Sequence, residues 1–131
     1  MSKHELNPVN ALKLLTKDRQ KVIDYIRNTV QKSTGKPFFE ILTEYPEMKR
    51  YYLALHCITT TNKAVCEAML IPVEAGTRYK KYLQDAGLLV EAAEKSTCPY
   101  TGESGVQFYS TNPAAFDELR KTNQLKLFDN E

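Results

Sequence analysis

The stretch Thr61–Leu89, TNKAVCEAMLIPVEAGTRYKKYLQDAGLL, constrains the fold more than any other part of the chain. Thr61 carries a hydroxyl that can cap the first orphan N–H groups of a helix. Val65, Cys66 and Met69 then recur at helical spacing on one face. Leu70-Ile71-Pro72 ends the run, because proline lacks a donor and pushes its predecessor out of the helical region. A second helix is expected from about Val73, with Gly76, Tyr79 and Leu83 on its inner face. Gly87 stands where a left-handed helix stop costs glycine least. Two helices joined by a tight turn follow from these positions.

The next residues predict a β-hairpin. Leu88–Ala92 is apolar and would leave the second helix as a strand. Residues 98–105, CPYTGESG, are dense in turn formers. Val106–Thr111 is rich in strand-favouring side chains that alternate on one face.

Thr61, Val65, Cys66, Met69, Ile71, Gly76, Arg78, Leu83, Gly87 and Leu88, with the hairpin in register behind them, resemble the winged helix-turn-helix domain of bacterial transcription regulators. The fit from Thr61 to Gly87 needs no insertion. Leu70 stands where that family has a small residue, and Pro72 where it has a capping serine. The resemblance implies a mainly α fold with a small β-hairpin wing. It also implies a second helix that enters the DNA major groove. Carried over by position, the DNA-facing residues would be Glu74, Ala75, Thr77, Arg78, Lys81 and Tyr82. Lys80 would reach a phosphate, and Lys95 with the wing tip would lie on the backbone or minor groove.

Residues 46–122 are expected to form this domain. Ahead of it, residues 1–45 read as helices. A short one starts at Asn7-Pro8 with Val9, Leu12 and Leu15 on one side. A longer one carries the stripe Val22, Ile23, Ile26 and Val30 and stops at Ser33–Pro37. Phe38–Leu42 makes a third, ending at Tyr45-Pro46, and Pro46 opens a helix through Tyr51, Leu53, Leu55, His56 and Ile58. These helices either pack on the core or pair two copies, which would set two recognition helices on adjacent groove turns. Asn112-Pro113 opens a last helix with Ala115, Phe116 and Leu119 inward.

Charge qualifies the DNA reading. The net charge is only +2, and residues 61–111 set Lys63, Arg78, Lys80, Lys81 and Lys95 against Glu67, Glu74, Asp85, Glu91, Glu94 and Glu103. Arg78, Lys80 and Lys81 are clustered within one turn, and phosphate affinity follows local clustering. Glu74 would oppose a phosphate or accept from a cytosine amino group. A protein-binding winged-helix module is therefore the alternative.

Other chemistry finds no support in the residues. Three cysteines without CxxC spacing give neither a disulfide framework nor a zinc pattern. Cys57 and Cys66 fall in apolar helical patterns, while Cys98 is expected to be exposed on the wing. Two scattered histidines make no metal site, and neither a phosphate-cradling glycine loop nor a nucleophile elbow is present. The chain reads as a non-enzyme without a cofactor. No apolar run reaches membrane-spanning length, and the polar start MSKHELN favours the cytoplasm.

Residues 123–131 read as a mobile tail. Gln124, Leu125, Leu127 and Phe128 resemble the short peptide by which bacterial polymerases, mismatch-repair proteins and some plasmid replication initiators bind the DNA sliding clamp. Lys126 replaces the serine or aspartate usual in its middle. That resemblance implies the clamp as a partner. The other reading is a hydrophobic strap folded back on the domain.

Overall fold

The computed structural model describes residues 19–98 and 100–120. Helix α1 spans Arg19–Thr34, α2 Phe38–Glu44, α3 Glu47–Cys57, α4 Asn62–Met69 and α5 Val73–Asp85. Strands β1 (Val90–Glu91) and β2 (Tyr109–Ser110) follow, and residues 113–120 are helical, α6. The fold is mainly helical with one small antiparallel sheet, in the register Val90↔Ser110 and Glu91↔Tyr109. Thr60, between α3 and α4, bridges Tyr109 through both backbone bonds on the other edge of β2. The expected helix opening at Asn7-Pro8 and the tail residues Gln124, Leu125, Leu127 and Phe128 lie outside the described residues.

Helix α4 is the centre of the core. Ala64, Val65, Cys66, Ala68 and Met69 are all buried, so this short helix is apolar over most of its circumference and needs neighbours on several sides. It has them in α1, α3 and α5. Val22, Ile26 and Val30, spaced by four, form the buried stripe of α1. Full burial of each such side chain contributes roughly 1.5–3 kcal/mol. The N-terminal stripe is thus consumed within the chain. Phe39 on α2 faces solvent, 65% exposed, beside Phe38, which packs on the core.

The predicted turn geometry is present with one unexpected tenant. Thr61 Oγ1 accepts from the Ala64 N–H at 3.2 Å, as a capping residue should. Leu70 closes α4 at φ 59°, ψ 50°, in the left-handed region. Gly87 closes α5 at φ 77°. In both stops the following N–H reaches back five residues, Ile71 to the Cys66 carbonyl and Leu88 to the Leu83 carbonyl, each at 2.9 Å.

Two guanidinium groups, Arg50 buried and Arg27 half-buried, hold the Leu70 stop. Arg50, 8% exposed on α3, donates from Nε to the Met69 carbonyl, from Nη1 to Tyr45 and from Nη2 to Leu70. Arg27 on α1 donates from Nε to the Ala68 carbonyl at 2.8 Å and lies over the Phe38 ring. Two guanidinium groups therefore serve the negative end of α4, where the last carbonyls have no helical partner.

Three expectations need correcting. Helix α3 stops at Cys57, leaving Ile58 extended and buried. Residues 108–111 do not alternate, because all four are buried. Ser110 Oγ and Thr111 Oγ1 donate to the Leu55 and Tyr52 carbonyls, so the end of α3 covers the polar side of β2. Cys98 is buried, with Sγ 3.0 Å from Thr61 Oγ1. Among the described residues, no helix is long and apolar enough to cross a membrane.

Candidate nucleic-acid interface

Helix α5 has a fixed inner face. Gly76 meets α4 so closely that a Cβ there would overlap Cys66 Sγ and stand 3.1 Å from Asn62 Oδ1. Tyr51 on α3 donates its hydroxyl to Asn62 Oδ1 at 2.7 Å, and Asn62 Nδ2 donates to Thr77 Oγ1 at 3.4 Å. Tyr79 donates to Glu47 Oε1 at 2.8 Å and meets the Tyr51 ring edge-on. Three helices are thus tied at one level. Burial raises the Tyr51 hydroxyl above its usual range and pushes the Cys66 thiol up to about 12, which keeps both protonated and unreactive near neutrality.

The outer face of α5 carries most of the residues expected to meet DNA. Glu74, Thr77, Arg78, Lys81 and Tyr82 are exposed, Tyr82 by 60%. Thr77, Arg78, Lys81, Tyr82 and Asp85 are among the residues lining a shallow depression along this face. Lys81 Nζ is 3.4 Å from Asp85 Oδ2, an exposed pair that a phosphate could displace. The side chains of Glu74 and Arg78 make no hydrogen bond or ion pair among the described residues.

Two members of the set are placed differently. Ala75 is 5% exposed and belongs to the core, because the inner stripe of a 3.6-residue helix that holds Gly76, Tyr79 and Leu83 also takes in position 75. Lys80 is half-buried, with Nζ 3.3 Å from the Tyr109 hydroxyl and 5.0 Å from that ring's centre. It joins α5 to β2 as a cation over an aromatic face.

The hairpin is less regular than expected. Ala92 donates to Phe108 and Ser96 pairs with Val106, so residues 93–95 bulge out opposite Gln107. Lys95 lies exposed in that bulge, and Ala93 donates to the Leu119 carbonyl of α6 at 3.0 Å. Gln107 Nε2 donates to Glu91 Oε2 across the strands. The tip leans back on the body. Besides the Cys98–Thr61 contact, the Tyr100 hydroxyl donates to Glu67 Oε1 at 3.4 Å, and Arg19 lies 5.2 Å over the Tyr100 ring.

Lys63 enters the charge balance of residues 61–111 but not the DNA-facing set read from the sequence. It is exposed in the first turn of α4 and lines a cleft shared with the hairpin. A cation at a helix start opposes the macrodipole, and that cost was the available signal for a role other than helix stability. No group of three His, Cys, Asp or Glu among the described residues is arranged to hold a metal ion. No protein-family model, curated protein or solved structure matches this chain.

Proposed function

We propose that this chain is a winged-helix DNA-binding protein, with α5 as its recognition helix and the hairpin as its wing. The observation that carries the reading is the division of α5. Its inner face is locked on α4 at Gly76, while Thr77, Arg78, Lys81 and Tyr82 stand in water on the other side. A helix held this rigidly can carry side chains into the major groove in one register. Arg78 and Lys81 face base edges and nearby phosphates, and Glu74 faces a base edge. Lys63 and Lys95 give two further cationic points for the backbone. Ala75 is not part of the surface. Transcription control or replication is the process, without enzymatic activity, and the cytoplasm is the compartment. A homodimer would place two such helices on one duplex.

Selection from random duplex DNA, with affinity read at two salt concentrations, tests this. Enriched sites and binding that falls steeply with salt are expected. Arg78→Ala with Lys81→Ala should abolish binding while leaving the thermal transition in place. Wild-type affinity in the folded double variant would remove α5 from the interface.

A protein-binding role for the same face is the second reading. The slight acidity of residues 61–111 and the exposed Tyr82 ring favour it, and salt-insensitive binding to a protein would mark it. The clamp as a further partner rests on Gln124, Leu125, Leu127 and Phe128, and removing residues 124–131 should abolish clamp binding.

A further inference from the structure

Lys81 and Asp85 on α5 stand four residues apart and pair with each other. Glu74 and Arg78 share the same spacing and the same helix face, are both exposed, and make no side-chain pair among the described residues. One turn of the helix thus offers a carboxylate acceptor and a guanidinium fork to the same ligand. A phosphate would satisfy Arg78 and repel Glu74. The major-groove edge of a G·C pair satisfies both: guanine N7 and O6 are two adjacent acceptors for the fork, and cytosine N4 is a donor for the carboxylate. An A·T pair lacks the two adjacent acceptors.

Building on the DNA-binding reading above, we infer that Glu74 and Arg78 together read G·C in the major groove, Arg78 on guanine and Glu74 on cytosine. Arg78 is the residue that binds and selects. Glu74 is the residue that excludes. Its negative charge weakens contact with any backbone and is compensated only where a cytosine amino group faces it.

This division gives the two residues opposite signatures. Loss of Arg78 lowers affinity for the selected site by about ten- to a hundredfold, on the scale of one bidentate base contact. Loss of Glu74 raises affinity for unrelated duplexes while lowering the ratio of specific to nonspecific binding. A merely structural role for Glu74 would not raise any affinity. Glu74→Gln goes further, since an amide pairs with adenine, and should move the selected base from cytosine towards adenine.

The experiment uses the full chain and its Glu74→Gln, Glu74→Ala and Arg78→Ala variants in duplex selection. Titrations follow on the enriched duplex carrying 7-deazaguanine, which lacks the N7 acceptor, or N4-methylcytosine. The inference expects a G·C pair in the wild-type site, a loss of affinity with 7-deazaguanine that Arg78→Ala no longer feels, and an altered base in the Glu74→Gln selection. Wild-type binding to DNA with an enriched site that is unchanged in the Glu74 variants overturns the G·C assignment and leaves DNA binding standing. Absence of salt-sensitive DNA binding by the wild type overturns both. Glu74 and Arg78 would then belong to a protein-facing surface.

Discussion

Helices α4 and α5 end in the same left-handed turn, built by different means. At Gly87, φ 77°, the residue itself removes the difficulty, since no Cβ meets the backbone. At Leu70, φ 59°, an ordinary side chain occupies the position, where an L-residue gives up roughly 1–2 kcal/mol. Arg50 and Arg27 offset that loss by binding the Ala68, Met69 and Leu70 carbonyls from outside the helix. A local solution needs one residue. The tertiary solution needs α1 and α3 in place, so the turn that sets the angle of α5 is only as stable as the whole core.

The largest effect should come from removing the outside support. Arg50→Met leaves three carbonyls without their charged donor, and a loss of about 3–4 kcal/mol is expected. Urea denaturation would show it as a lower midpoint at unchanged slope. A loss under about 1 kcal/mol would mean that water replaces the guanidinium. Gly87→Ala probes the local solution and should cost about 1 kcal/mol, read as a drop in melting temperature of several degrees. Leu70→Gly is the smallest and has the opposite sign. Relief of the left-handed leucine exceeds the added freedom of the unfolded chain by about 0.5 kcal/mol. An Arg50→Met background should enlarge that gain, because Leu70 and Arg50 share one contact. Equal gains in both backgrounds would separate the two devices.

The same contrast explains what could be read from the chain. Thr61, Pro72 and Gly87 act through their own backbone or their nearest turn and were legible as boundaries. Gly76 was legible as an inner position by spacing, but its contact with Cys66 was not. The stripe Val22, Ile26, Val30 was legible as periodicity. Arg50 was not, because a guanidinium buried against carbonyls from α4 looks in the sequence like one more surface charge. Cys98 misled for a similar reason. Turn-rich neighbours argued for exposure, while the Thr61 hydroxyl on a distant segment took it in. Within the candidate site, the family resemblance put Ala75 among the outer residues of α5, where the helical period turns it towards the core. The Lys80–Tyr109 contact depends on the fold of the hairpin, and spacing along α5 could not reveal it.

Gly76 limits how this surface can change over generations. Because a single methyl group there would collide with Cys66, α5 cannot roll about its axis to present a different set of side chains. On the DNA-binding proposal, new base preferences arise by exchanging the exposed residues one at a time, each step starting from an intact scaffold. The crowded side of the helix admits one architecture, and the wet side leaves room for exchange.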